Sequence, residues 1–432
     1  MRLWAIALPV VLGLVLLPFT FASADESKPL KQMLVEKGVI TKEDAATVQD
    51  TVFSSWVDWI TFSGDLRIRD SQFFDDNNAN GAYNNGVNQN RLRFRLRLAT
   101  ELKLGDVAVG VRLASGTGQQ TGTNQTETAL FTGKALWIDQ AYLSWQGSQT
   151  KWLKVTAGKL PNPFFVVYSG NVVWDEDVNP EGFSESFKGS PAEHVNLFFN
   201  AGQFVLNELG TNNHDPWMLG EQGGISVEPT SQVKTTLAAA FYESINASGR
   251  DSNPLGGYVQ QGNTRSAGTN PPAGTLLNNY RVLDSTALVN VQAGPIPIAL
   301  MGDYVRNLAN TTTTGMASGK ATGNEGYQLG AIVGKAAEAN TWEVAYFYKL
   351  LQTDATLADL TDSDFGGSGG TARRGHIVWG AYNFTKYAQI KLKYFMTKSI
   401  TPVTTAASVC GGTNTNGCGD VNRLQADILV KF

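Results

Sequence analysis

The sequence predicts an all-β chain: a transmembrane antiparallel β-barrel of about sixteen strands preceded by a short N-terminal helical segment. Three observations predict it. From residue 60 onward apolar and polar residues alternate in segment after segment, the period that sends successive side chains to opposite faces of a strand. The connections alternate between tight turns and long loops rich in Asn, Gly, Thr and Ser, as in barrels that gather turns on one membrane face and loops on the other. Past residue 24 no run of ~18 apolar residues remains for a spanning helix, and a closed barrel is the other way to satisfy every backbone polar group in lipid. The composition agrees: Gly numbers 45 in 432 residues and charged residues are 17%. A net charge of -4 offers no basic surface for nucleic acid. Three His and two Cys leave little material for a metal site, and no cofactor is expected.

Residues 1–24 read as a secretory signal peptide: Arg2, an apolar run over 3–17, and the small-residue site Ala22-Ser23-Ala24. Residues 25–58 are expected to be a periplasmic helical segment. Leu30, Met33 and Leu34 share a helical face, Gly38 can cap it, and Thr41 with Asp44 opens a second helix. Residues 59–432 form the barrel.

The clearest strand is 90–104. Leu92, Phe94, Leu96, Leu98, Leu102 and Leu104 lie on one face; Arg91, Arg93, Arg95, Arg97, Glu101 and Lys103 lie on the other. The strands expected are 60–70, 90–104, 106–115, 135–145, 152–159, 193–200, 203–208, 219–229, 232–243, 280–292, 296–308, 324–337, 341–352, 372–384, 387–398 and 421–432. Within 137–145 no face is decisive, and a bulge is expected there. A two-residue turn at Gly105-Asp106 pairs Leu104 with Val107 and keeps both apolar sets on one face. The long loops are 71–89, 116–134, 160–192, 246–279, 309–323, 353–371 and 399–420. An even strand count puts both barrel ends on the short-turn, periplasmic side.

Alternation alone does not say whether the apolar face is a core or a lipid surface. Trp145, Trp152, Trp342 and Tyr387 cluster near short turns, where an interfacial girdle belongs. Sixteen strands exceed an ordinary soluble sheet. The chain ends with Leu424, Ala426, Ile428, Val430 and Phe432 on one face. The lipid therefore meets the apolar face, and the arginines line the lumen.

Several motifs together carry a resemblance: Phe62-Ser-Gly-Asp-Leu-Arg-Ile-Arg69, Asn90-Arg-Leu-Arg-Phe-Arg-Leu-Arg97, Asp139-Gln-Ala-Tyr-Leu143, the Leu34-Val-Glu-Lys-Gly-Val-Ile-Thr41 helix and the terminal Phe432. From about residue 30 to the end the chain resembles the Putative porin family of Gram-negative outer-membrane proteins. The resemblance implies a diffusion channel for small hydrophilic solutes and ions in the outer membrane, often a homotrimer like the general sixteen-stranded porins. It also implies that Phe432 is the assembly signal presented to the barrel assembly machinery.

The expected pore-lining residues are Arg67, Arg69, Arg91, Arg93, Arg95, Arg97 and Arg112. Arginines two apart on one strand are spaced by about 6.8 Å. Hairpin pairing is expected to bring Arg69 near Arg91, Arg67 near Arg93, Asp65 near Arg95 and Arg112 beside Ala99. By analogy with general porins, the third long loop folds inward; here it carries Asp175, Glu176, Asp177 and Glu181, and would oppose the arginines at a constriction. Cys410 and Cys418 are expected to form a disulfide in an oxidising compartment. An outer-membrane hydrolase is the alternative reading; it would need a Ser–His pair built on His194, His214 or His376, and no recognisable motif supplies one. A structural or adhesive barrel is the third.

Overall fold

The computed structural model describes residues 59–75, 89–168, 172–210, 214–248, 255, 257, 262–264, 275–309, 323–366, 369–400 and 420–432. The expected signal peptide, the helical segment of 25–58 and the Cys410–Cys418 pair lie outside the described residues.

Among the described residues seventeen strands follow one another. They are β1 (Ile60–Asp75), β2 (Gln89–Leu104), β3 (Val107–Ala114), β4 (Gln125–Thr126), β5 (Trp137–Trp145), β6 (Leu153–Lys159), β7 (Glu181–Ala192), β8 (Val195–Val205) and β9 (Trp217–Thr230). There follow β10 (Val233–Ile245), β11 (Tyr280–Ala293), β12 (Ile296–Asn307), β13 (Glu325–Gly334), β14 (Thr341–Leu351), β15 (Arg373–Asn383), β16 (Ala388–Ser399) and β17 (Val421–Lys431). The two-residue β4 pairs with β2 above β3. The other sixteen pair antiparallel with their chain neighbours, and β1 pairs with both β2 and β17, so the sheet closes on itself.

Side-chain alternation sets which face is which. On β1 Asp65, Arg67, Arg69 and Ser71 are buried, whereas Leu66 and Ile68 between them are exposed. The apolar row therefore faces outward and the polar row inward. Leu104 pairs with Val107 across Gly105-Asp106, and Gly105 takes the left-handed φ of +63° that such a tight turn favours in glycine. The chain terminus makes the seam. Phe432 and Gly64 exchange backbone hydrogen bonds of 2.8 and 3.0 Å, and a Cβ on Gly64 would stand 2.7 Å from the Phe432 ring.

Two expected spans are corrected. The loop expected over 160–192 ends at residue 180, because β7 begins at Glu181. On its outer face the segment Glu-Gly-Phe-Ser-Glu-Ser-Phe-Lys-Gly-Ser-Pro-Ala offers just two large apolar residues, Phe183 and Phe187, too few to show a period. The strands expected at 193–200 and 203–208 are one strand, β8, which runs on through Ala201-Gly202. One missed strand and one divided strand cancel in the count. The β1–β2 register is also two residues away from expectation: Arg69 faces Arg93, Arg67 faces Arg95 and Asp65 faces Arg97. Alternation fixes the face, and a slip of two leaves every face unchanged. Arg112 lies opposite Ala99 as drawn.

Part of the barrel interior is apolar. One cluster packs Phe164, Val172 and Trp174 of the 160–180 segment against Phe204, Met218 and Tyr242 of the wall. A second packs Tyr168 and Phe365 on Phe347, Ile377, Trp379 and Phe395. Two loops, 160–180 and 352–372, thus fold into the barrel and are held there by buried apolar contact.

Candidate functional site

The interior wall of β1, β2, β3 and β17 carries a dense set of arginines, ordered by the period of 2. Arg95 Nε donates to Asp65 at 2.9 Å, and Arg97 Nε to the other oxygen of Asp65 at 2.6 Å. On the other side Arg69 Nε and Nη2 grip Asp427, each at 2.7 Å. Arg67 is also buried, 4.0 Å from Asp427, and donates to Asn124. Arg93 donates to Thr126 Oγ1 and has no carboxylate partner among the described residues. Arg91 lies over the Phe73 ring, with Arg423 over the same ring. Like charges directly opposite on paired strands repel, so these carboxylates are what lets the arginines stand together.

Arg112 is held by a local irregularity. Opposite Arg112 and Leu113 the register of β5 shifts, leaving Asp139 as an extra residue. This is the bulge expected in that strand. It leaves Asp139 and Gln140 both buried. Arg112 Nε donates to Asp139 at 2.5 Å, and Asn179 Nδ2 donates to the other Asp139 oxygen at 2.9 Å.

The 160–180 loop brings its acidic run to this wall, and the three carboxylates have different surroundings. Asp177 is buried, 3.5 Å from Arg97 Nη1, and accepts from the amide and hydroxyl of Thr123. Burial alone would raise its pKa; Arg95, Arg97 and Arg67 outweigh that and hold it below the usual carboxylate value. Asp175 faces the other way and accepts from the Ser363 amide at 2.7 Å. Burial, with repulsion from Asp177 and Asp362, pushes its pKa well above the usual value. Glu176, between them, is exposed. Its carboxylate acts electrostatically on Arg67, Arg97 and Lys391. Glu181 belongs to the wall rather than the loop: it opens β7 and pairs with Lys159 at 2.7 Å.

The 352–372 loop was not legible as an inward element. Its Asp364 bridges Arg69 at 2.8 Å and Arg423 at 3.0 Å. Burial opposes ionisation there, but Arg423, Arg69 and Lys393 hold its pKa well below the usual value. Asp354 accepts from Thr264, Asn278 and Tyr280, tying this loop to the connection between β10 and β11. The Asp175 amide donates to Leu360 O at 2.7 Å, joining the two inward loops. The sequence did carry a signal: Leu357, Leu360 and Phe365 are unusual in an otherwise polar loop. Between the 160–180 loop and the wall of β5 to β9 a cavity of ≈ 1080 Å³ opens, with Gln119, Asp139, Lys159, Asp177 and Asn179 among its lining residues.

A closed sixteen-stranded wall, apolar outside and charged inside, narrowed by an inward loop, is the architecture of an outer-membrane channel. The family model described as "Putative porin" matches residues 79–432. The chain belongs to that family. It is a porin, a channel through the outer membrane. Among solved structures it is similar to OprB of Pseudomonas putida, with 9% identity, 88% of this chain and 95% of that chain covered, and a TM-score of 0.52. It is also similar to the anion-selective porin from Comamonas acidovorans, with 12% identity, coverage of 86% and 99%, and a TM-score of 0.48. The trimer form of OmpT from Vibrio cholerae matches with 9% identity, coverage of 86% and 99%, and a TM-score of 0.44. No curated protein sequence matches the chain.

His376 Nδ1 meets Tyr346 Oη at 2.8 Å, on exposed side chains. His194 lies 3.3 Å from Glu193 at the turn between β7 and β8, also exposed.

Proposed function

We propose that this porin carries small hydrophilic solutes and ions by passive diffusion past a constriction with Glu176 on one side and Arg97, Arg67 and Lys391 on the other. The observation that carries the reading is the division of labour in the acidic run. Asp175 and Asp177 are buried and hold the loop, which leaves Glu176 exposed to passing solute. Opposed fixed charges across a narrow, partly low-dielectric passage orient dipolar solutes and bias ions. Such a passage needs no catalytic group, so a non-enzymatic channel fits better than a barrel hydrolase. The long loops then face outward from the cell, the short turns and residues 25–58 face the periplasm, and Phe432 serves as the assembly signal.

The assembly that fits is a homotrimer. An apolar band of about 25 Å needs about ten residues of a strand tilted near 40°. β3, β5 and β6 have eight, nine and seven. This low stretch of wall exposes Val111, Ile138 and Leu143, and the adjacent loop exposes Leu130 and Phe131. A second copy covering it makes up the missing height. The test is conductance of purified protein in a planar bilayer. Stable steps that occur in threes are the expected result; absence of steps would refute the channel, and single independent steps would refute the trimer.

A further inference from the structure

We propose that the porin holds one hard divalent cation, calcium by preference, on the inner wall beneath the 160–180 loop, between Asp284, Asp303 and Gln328. The register builds the cluster. Thr286 of β11 faces Asp303 of β12, and Asp303 faces Gln328 of β13. Asp284 is two residues from Thr286 on the same face. Asp284, Asp303 and Gln328 are 1, 2 and 1% exposed, so bulk solvent does not reach them.

The two carboxylates lie close enough to hydrogen-bond each other. That contact requires a shared proton, and it accounts for only part of what the side chains present. One oxygen of each carboxylate, and both the oxygen and nitrogen of the Gln328 amide, are buried with no hydrogen-bond partner. A second oxygen of Asp303 faces the Val172 amide of the inward loop at 3.4 Å. Buried polar groups are normally partnered, and a group of them left open around two acids calls for an explanation.

Charge gives the same answer. The cation beside the pair is Lys349, opposite Gln328 on β14, and Asp362 at 3.4 Å already engages it. Lys349 and Asp362 offset one another; with the shared proton displaced, Asp284 and Asp303 carry two negative charges, the charge of one divalent ion. The atoms there that can bind a cation are all oxygens: two carboxylates and one amide oxygen, with the Thr286 hydroxyl alongside. All-oxygen sites select hard cations. Calcium tolerates irregular geometry and long bonds, whereas magnesium holds to a tight octahedron, which donors spread over three strands do not offer. Bound there, the ion would pin the loop through Asp303 to the wall opposite the arginines.

The chain is refolded from urea into detergent with terbium present, so that the site forms around the probe, and emission is excited through the aromatic rings. The buried Tyr242 is within electrostatic reach of both carboxylates, and supplies the sensitiser. One terbium per chain is expected, displaced by calcium and much less by magnesium. Asp303→Asn and Gln328→Leu should each weaken binding by about tenfold or more. Gln328→Leu carries no charge change and removes an unpartnered amide, so it decides the matter should Asp303→Asn not assemble, as judged by heat-shifted electrophoretic mobility. A carboxylate pair sharing a proton would give no saturable emission in the unmodified chain, or emission indifferent to Gln328→Leu; either result overturns the proposal.

Discussion

Replacing Glu176 by Gln should raise the permeability of anions relative to cations, by an amount that salt controls. The substitution keeps the shape of the side chain and removes one charge. It breaks no buried ion pair, because Glu176 is exposed and the pairs at this wall are made by Asp65, Asp427, Asp364 and Asp177. For an ion passing at about 6 Å in a medium of water-like dielectric, one unit charge contributes about 0.7 kcal/mol before screening. At 0.15 M salt, with a Debye length of about 8 Å, roughly half of that remains. The carboxylate favours cations and disfavours anions by the same factor, so its loss should change the anion-to-cation ratio by about threefold. At 1 M salt the Debye length is about 3 Å and the change should fall to about 1.4-fold. A lower dielectric in the passage would enlarge both figures without altering their order.

The assay is the reversal potential across a bilayer under a salt gradient, repeated at both mean concentrations. A reversal potential that does not move at 0.15 M would mean that ions do not pass Glu176. A shift of equal size at both concentrations would show that the substitution had changed the width of the passage rather than its charge. Either result refutes the reasoning, and each points to a different error.

The remaining predictions test the wall, the loop junction and the seam. Arg93→Ala with Arg95→Ala should shift the same reversal potential toward cations, less at high salt; assembly should persist because Asp65 keeps Arg97 at 2.6 Å, and an unchanged potential places the passage elsewhere. Acidification should tighten the junction of the two inward loops through Asp175. Its folded pKa is raised above the unfolded value of about 3.9, so its contribution is complete below that value and is lost as pH rises through the folded one. Protease cleavage within 352–372 should therefore increase from pH 4 upward, until Asp175 is fully ionised; cleavage independent of pH in that range would contradict it. Below about pH 4 the depressed Asp177 works in the opposite direction, as its pairing with the arginines is lost. Deleting Phe432 removes both backbone bonds to Gly64 and should lower the amount of heat-modifiable barrel in outer-membrane fractions; unchanged levels would show that the seam closes without it.

What the sequence made legible follows from what lipid demands. An outer face against hydrocarbon must be apolar at every second residue, so β2 is readable from Leu92 to Leu104, and the turn at Gly105 follows from parity. Where that demand relaxes, the pattern fades. β7 faces outward with Phe183, Glu185 and Phe187 in a run rich in Ser and Gly, and such a run has the composition of a loop. Register is weaker still, because a two-residue slip preserves every face; the arginines of β1 and β2 meet neighbours two positions from those the alternation predicts.

The interior obeys a different rule. A loop that enters the barrel must satisfy its own backbone and charges, and it does so with partners distant in sequence. Asp364 meets Arg69 across 295 residues, and Ser363 reaches Asp175 across 188. No local period records such pairs. The acidic run 175–177 was conspicuous because three carboxylates in a row suggest a charged target, yet only the folded loop distinguishes them. Asp175 faces a second loop, Asp177 faces the arginines, and Glu176 stays exposed. A single charged motif thus separates into two residues that position the loop and one that can meet the solute, a distinction made by burial and not by residue type.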